Sequence, residues 1–171
     1  MRRIAIIGPA AVGKSTLAQR LSDVLGIPVY HLDSLYWRPG WTPTPADEWE
    51  ETLRGIVDSE AWIVDGNFTQ TMRDRLEAAD TIIYLDLPRL ASTIGAIRRR
   101  LLHRWRPAPG VQVQSRPMFN LQLFRWIWSF PHDHRPVILA MLREQPSSKR
   151  VVVLRHRREV QRFLETVARS R

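Results

Sequence analysis

The sequence predicts an α/β protein of three layers, a five-stranded parallel sheet with helices on both faces, and three observations carry that expectation. Short β-rich runs alternate with helical periods along the whole chain, the pattern of βαβ crossovers. A glycine-rich turn joins the first such run to the first helical period. Aspartates stand at or just past the ends of the next three runs, where parallel sheets of this kind hold their ligands.

Arg3–Ile7 is the first expected strand and Lys14–Leu25 the first helix, with Leu17, Leu21, Val24 and Leu25 at helical spacing and Gly26 as its terminator. Pro28–His31 is a short second strand, and the aromatic, proline- and glycine-rich stretch Asp33–Pro43 is expected to be loop. Thr44 is expected to cap the second helix, with Pro45 at its first position, Asp47 three residues after the cap, and Trp49, Leu53, Ile56 and Val57 facing inward. Ala61–Asp65 is the third strand, Met72–Ala79 a short helix and Thr81–Asp86 the fourth strand. A fourth helix starts near Pro88 with Leu90, Ile94, Ile97 and Leu101 on one side and arginines on others. The proline-bearing segment Arg106–Pro117 reads as irregular. Helices near Asn120–Phe130 and Asp133–Glu144, a fifth strand at Arg150–Leu154 and a closing helix at Arg158–Arg169 complete the chain.

The 171 residues suit one domain, with a lid region at about 98–117. No apolar stretch approaches the roughly 20 residues of a membrane span, and the run Ile4–Ile7 is too short for a signal-peptide core. With no cysteine, disulfides and thiolate metal sites are excluded. A cytoplasmic protein is the expectation. The net charge of +9 is nearly all arginine, because Lys14 and Lys149 are the only lysines. Such a surface suits anionic partners, nucleotides first and nucleic acid second.

Gly8-Pro9-Ala10-Ala11-Val12-Gly13-Lys14-Ser15 matches the phosphate-loop pattern G-x-x-x-x-G-K-[ST] in full, between an apolar strand and an amphipathic helix. Glycines at both ends let successive backbone N–H groups, including those of Ala11 and Val12, turn toward a phosphate. The helix N-terminus adds positive potential there. Lys14 is placed for the β- and γ-phosphates of ATP, Ser15 for Mg²⁺, and Thr16 for the α-phosphate. Asp65, ending an apolar strand, is the first candidate for the carboxylate facing that Mg²⁺. Asp33 is a candidate base or hydrogen-bond partner for an acceptor hydroxyl, and a second candidate near the metal. Asp86 reads as a helix cap.

His31 reads either as a base or as a structural strand-end residue. Tyr36, Trp37 and Trp41 either stack on an acceptor or pin their loop to the body. From Arg89 to Arg135 there are nine arginines against one acidic residue, Asp133. Arg100 and Arg104 share a helix face and are candidates to close over the transferring phosphoryl group. Phe119, Phe124, Trp126, Trp128 and Phe130 read as core, or as a self-association surface. Arg155, just past the fifth strand, is a candidate to cover the base of ATP.

Taken in order, GPAAVGKST, HLDSLYWRPGW, WIVDGNF, YLDLPR, FRWIW and RVVVLRHRREV resemble the adenylate-kinase-like P-loop proteins often labelled DNA topology modulation proteins. The resemblance covers nearly the whole chain. It implies a nucleoside-monophosphate-kinase-like fold, an acceptor region after the second strand, a lid after the fourth helix, ATP at Gly8 to Thr16, and Asp33 and Asp65 near metal and acceptor. Adenylate kinases usually carry DGFPR after the third strand, whose arginine grips the acceptor phosphate. Here the run is Asp65-Gly66-Asn67-Phe68-Thr69, without that arginine. The expected function is phosphoryl transfer from Mg·ATP to a small nucleotide, nucleoside or other hydroxylated acceptor. The alternative is a regulatory ATP-binding protein associated with DNA or RNA.

Overall fold

The computed structural model describes residues 1–40, 42–103 and 121–170. Five strands, β1 (Arg3–Ile7), β2 (Val29–His31), β5 (Trp62–Asp65), β6 (Thr81–Leu85) and β7 (Arg150–Leu154), form one parallel sheet in the order β2-β5-β1-β6-β7. β1 lies at the centre, with Ile4 opposite Ile63 on one side and opposite Thr81 on the other. All the strands run the same way, so their carboxyl ends gather along one edge. The chain leaves β1 there for the phosphate loop, β2 for Asp33 and β6 for Asp86, while Asp65 is itself the last residue of β5.

Strand side chains alternate between faces, and the two cores follow that alternation. Ala5, Ile7, Ile82 and Tyr84 belong to one core, with Trp49, Leu53 and Ile56 of α3 (Ala46–Asp58) and Met72 and Leu76 of α4 (Thr69–Ala78). Phe130 of α6 (Leu121–Asp133) and Ile138 and Leu142 of α7 (Arg135–Arg143) join it. Ile4, Ile6, Ile63 and Ile83 face the other way, onto Leu17 and Leu21 of α1 (Lys14–Leu25) and Phe163, Leu164 and Val167 of α8 (Arg157–Arg169). Gly26 ends α1 in the left-handed conformation, its N–H bonding the carbonyl of Ser22.

Three expectations are corrected. The stretch after His31 is not loop alone: α2 (Leu32–Tyr36) is one short helical piece, and β3 (Trp37–Arg38) pairs antiparallel with β4 (Thr42–Pro43). Leu32, fully buried, and the Arg38–Glu48 ion pair hold this excursion to the body. Thr44 does not cap α3. Its hydroxyl donates to the carbonyls of Leu35 and Tyr36, and Pro45 takes the cap position. α6 runs through Pro131, where it was expected to stop at Phe130. A proline removes one donor and crowds the preceding turn, but buried Ile127 and Phe130 hold that turn in place.

The helix α5 (Arg89–His103) turns its small residues inward. Ser92 is buried, Ala91 packs on the second core, and Gly95 lies against the phosphate loop. Leu90, Ile94 and Ile97 share one side as expected, and that side is exposed. The side chain of Leu101 and residues Arg106–Pro117 lie outside the description, so most of the expected lid does too. No helix of the described residues is long and apolar enough to cross a membrane.

Candidate functional site

The phosphate loop is shaped by close backbone approach. A Cβ on Gly8 would lie 2.6 Å from the carbonyl oxygen of Leu85, so no other residue fits there without moving β6. Ala11 adopts a positive φ of 58°, unusual for a residue with a side chain. The side chain of Val12 is buried in the core, leaving its backbone as the part that can meet a ligand. Gly13 takes the N-cap position of α1. The Lys14 ammonium donates to the carbonyls of Gly8 (3.0 Å) and Pro9 (2.8 Å), curling back across the loop.

Asp65 ties three elements together. Its carboxylate accepts from the Ser15 hydroxyl at 2.6 Å and from His31 Nδ1 at 2.5 Å, while being almost wholly buried. The hydrogen bond to Asp65 outweighs burial and holds the His31 pKa above its ordinary value. The strand-end histidine is therefore a partner of the carboxylate, which the sequence pattern left open. β2 pairs with β5 with His31 directly opposite Asp65, which places the two side by side.

Two residues that sequence reasoning missed anchor this corner. Asn67 bonds Gly8 reciprocally: its Oδ1 accepts from the Gly8 N–H at 3.0 Å and its Nδ2 donates to the Gly8 carbonyl at 2.8 Å. Arg75 of α4, 1% exposed, donates to the carbonyls of Gly66, Asn67 and Phe68 and to that of Thr71. Burial pushes the Arg75 pKa down to about 10, which leaves the guanidinium charged at neutral pH. Phe68 has a positive φ of 29°, and the guanidinium grip on its carbonyl helps hold that strained backbone. The motif WIVDGNF contained the signal for Asn67. Arg75 lies ten residues beyond Asp65 with nothing local to mark it.

These residues open onto a cavity of about 450 Å³. Among the described residues, Ala11, Gly13, Lys14, Ser15, Asp33 and Asp65 line it together with Trp37, Phe68, Met72, Trp126 and Phe130, and with His134 of the α6–α7 junction. The aromatic loop divides its work: Tyr36 packs edge-on against Trp37, Trp49 and Phe68, whereas Trp37 reaches the cavity. Trp41 lies outside the described residues. Ile127 and Phe130 are buried in the core, Phe130 and Trp126 line the cavity, and Trp128 is exposed beneath the Arg89 guanidinium at 5.3 Å, while Phe119 and the side chain of Phe124 lie outside the described residues.

Not every expected site residue arrives there. Thr16 is exposed on the first turn of α1 and is not among the cavity's lining residues. Asp86 is no helix cap; its carboxylate makes a two-point bond to Arg135, at 2.8 Å to each oxygen. Arg155 sits past β7 as expected, its Nε 3.9 Å from Asp86 and its N–H bonded to Glu159. The backbone of Arg100 belongs to α5, while its side chain and all of Arg104 lie outside the description.

The donor set fits Mg²⁺. Among the described residues no cluster of three or more His, Cys, Asp or Glu could cage a metal. A hydroxyl and a carboxylate 2.6 Å apart beside a phosphate loop suit an ion that keeps its waters and takes further oxygens from a substrate's phosphates.

No family model and no curated protein matches the sequence. Solved structures are similar in fold. A shikimate kinase from Bacteroides thetaiotaomicron matches with a TM-score of 0.57 at 12% identity, over 99% of this chain and 97% of that one. A shikimate kinase from Acinetobacter baumannii, in complex with shikimate, matches with 0.56 at 16%, over 99% and 92%. An uncharacterized protein from Eubacterium ventriosum matches with 0.52 at 14%, over the full length of both chains. At these identities the likeness speaks for architecture alone: the chain has the P-loop fold of shikimate kinases, with a five-stranded parallel sheet and its loop-and-carboxylate corner at the strands' carboxyl edge.

Proposed function

We propose that the protein is a phosphotransferase that passes the γ-phosphoryl group of ATP to the hydroxyl of a small acceptor. The observation that carries this reading is the corner made by Lys14, Ser15 and Asp65, opening into the same cavity as Asp33. The backbone amides of the loop, Ala11 to Thr16, and the N-terminus of α1 bind the phosphates. Lys14 moves from its carbonyls to the β- and γ-phosphates, and Ser15 and Asp65 would hold Mg²⁺. The ion, when bound, neutralises charge on the phosphates and helps align them. Asp33 accepts the proton of the acceptor hydroxyl as its oxygen bonds to the γ-phosphorus. The bond from that phosphorus to the β,γ-bridging oxygen breaks, and ADP leaves with the electron pair.

His31 positions Asp65 through its short hydrogen bond. Arg100, Arg104 and Arg155 enter the proposal as cations for the lid and the base, on the strength of their places in the sequence. The fold shared with shikimate kinases supports a small-molecule acceptor. The deciding experiment measures ADP formation from Mg·ATP across a panel of small alcohols, nucleosides and nucleotides, with Lys14→Ala as the blank. Acceptor-dependent ADP formation that falls at least about a hundredfold in the variant is the expected result. Turnover that is indifferent to Lys14, or no Mg·ATP binding by folded protein, would refute the reading.

A further inference from the structure

The carbonyl of Gly8, the first of the phosphate loop, takes two donors at once. The Lys14 ammonium reaches it at 3.0 Å and Asn67 Nδ2 at 2.8 Å, so both of its lone pairs are engaged. We infer that Asn67 is a positioning residue for phosphate binding: it keeps the Gly8 carbonyl bonded when Lys14 leaves for the phosphates, and so lowers the cost of moving the lysine. This rests on the phosphotransferase reading only for the arrival of phosphates at the loop.

The lysine's own position calls for such a partner. It bonds the carbonyls of Gly8 and Pro9, and both residues are buried. To reach the β- and γ-phosphates it gives up both bonds. A buried carbonyl stripped of every donor is costly. Asn67 spares Gly8 that outcome. Pro9 loses its bond to Lys14 whether or not Asn67 is present, so it drops out of any comparison between the two cases.

The side chain is aimed at this one residue. Its Oδ1 accepts from the Gly8 N–H at 3.0 Å while its Nδ2 donates to the Gly8 carbonyl, so it spans the two peptides that meet there. Gly8 lies too close to the Leu85 carbonyl for a Cβ to fit, which leaves its backbone little room to move away. Asn67 is itself held in advance. Arg75 donates to the Asn67 carbonyl and to those of Gly66 and Phe68 on either side. Gly66 is packed so closely on Leu32 that a Cβ would stand 2.9 Å from the leucine Cβ. On so fixed a turn, the amide keeps its place with or without the lysine.

Two measurements test this. The first is titration calorimetry with a non-hydrolysable Mg·ATP analogue and with magnesium tripolyphosphate, which carries the phosphates without base or sugar. Asn67→Ala should weaken both by a similar factor, at least about fivefold. Asn67→Asp keeps an acceptor for the Gly8 N–H but turns an oxygen toward the carbonyl, and should lose no less. Asp80→Asn, altered just before β6 where Asp80 holds the N–H groups of Arg2 and Arg3, should bind both ligands as the wild type does.

The second measurement needs no ligand. In a thermal-unfolding cycle of wild type, Lys14→Ala, Asn67→Ala and the double variant, contacts that belong to one residue alone cancel. Each single variant leaves the Gly8 carbonyl one donor, and the double variant leaves it neither. The double variant's midpoint should fall by at least about 2 °C more than the two single losses together. A purely structural Asn67, acting independently of Lys14, would give additive losses. Unweakened binding in the Asn67 variants, equal weakening in Asp80→Asn, additive midpoints, or no binding of either ligand by folded wild type would each overturn the inference. If binding and cycle behave as expected but no acceptor yields ADP, the kinase reading fails and the role of Asn67 stands.

Discussion

Replacing Gly95 by alanine is expected to destabilise the protein, against the general rule for a glycine inside a helix. In that setting alanine is favoured by roughly 1 kcal/mol. At Gly95 the added methyl would lie 2.0 Å from the carbonyl oxygen of Ala11 and 3.1 Å from its carbon. That oxygen belongs to backbone at a positive φ, a few residues before α1 begins, and has no side-chain freedom with which to retreat. The contact has to open by about 1 Å or more, and overpacking of that kind costs about 1–3 kcal/mol. A methyl this close belongs at the upper end, so about 2 kcal/mol of net loss remains after the helical gain. In a chain of this size the midpoint falls by about 4–8 °C. The displaced surface is the phosphate loop, so affinity for a Mg·ATP analogue should fall with it. Gly55→Ala in α3 is the control: its methyl meets nothing within 4 Å, and the helical preference should show as a gain of up to about 1 kcal/mol. Differential scanning calorimetry of both variants, with titration of the analogue, reads the two effects. If Gly95→Ala melts at or above the wild type and binds the analogue equally well, α5 does not rest on the phosphate loop and the reasoning is wrong.

Arg75→Met should leave the carbonyls of Gly66, Asn67 and Phe68 without their shared donor, lowering stability by about 3 kcal/mol or more. A urea denaturation midpoint equal to the wild type's would show that this grip does not matter. Asp80 behaves differently. Burial raises its carboxyl pKa, but the Thr81 hydroxyl and the N–H groups of Arg3 and Arg2 more than offset this and leave it below the usual 3.8. Its stabilisation is then complete above pH 3.8 and is lost as the pH falls through the lower folded value. Asp80→Asn is expected to cost about 1 kcal/mol near neutrality, with the gap to the wild type closing on acidification. Thermal unfolding across a pH series measures it, and a gap independent of pH would refute it.

What was legible in the chain was whatever a local pattern encodes. Gly26 ended α1 because a left-handed residue is needed there and glycine supplies it most readily. The five strands were found because each is a short apolar run between helical periods. Asp65 stood out because it ends one of them. The excursion after His31 was missed because its order comes from distant contacts: Leu32 buried in the core, Arg38 on Glu48 of α3, and Thr44 reaching back to Leu35 and Tyr36. Asp86 suggested a cap because Leu87-Pro88 follow it. Its partner Arg135 lies 49 residues away.

By itself the sequence determined the sheet, the phosphate loop and the row of aspartates at the strand ends, since periods of two and of 3.6 and the need for glycine at tight turns are properties of short segments. Tertiary structure alone decided which side of α5 faces inward. A helical stripe of Leu90, Ile94 and Ile97 is apolar in any setting, but only small residues let the helix axis come down onto the Ala11 carbonyl. It decided, too, that His31 and Ser15 share Asp65, that Asn67 locks Gly8, that Arg75 holds the carbonyls after β5, and that Arg135 bonds Asp86. Those pairings depend on strand order and on helices meeting across the sheet, and no period along the chain records either.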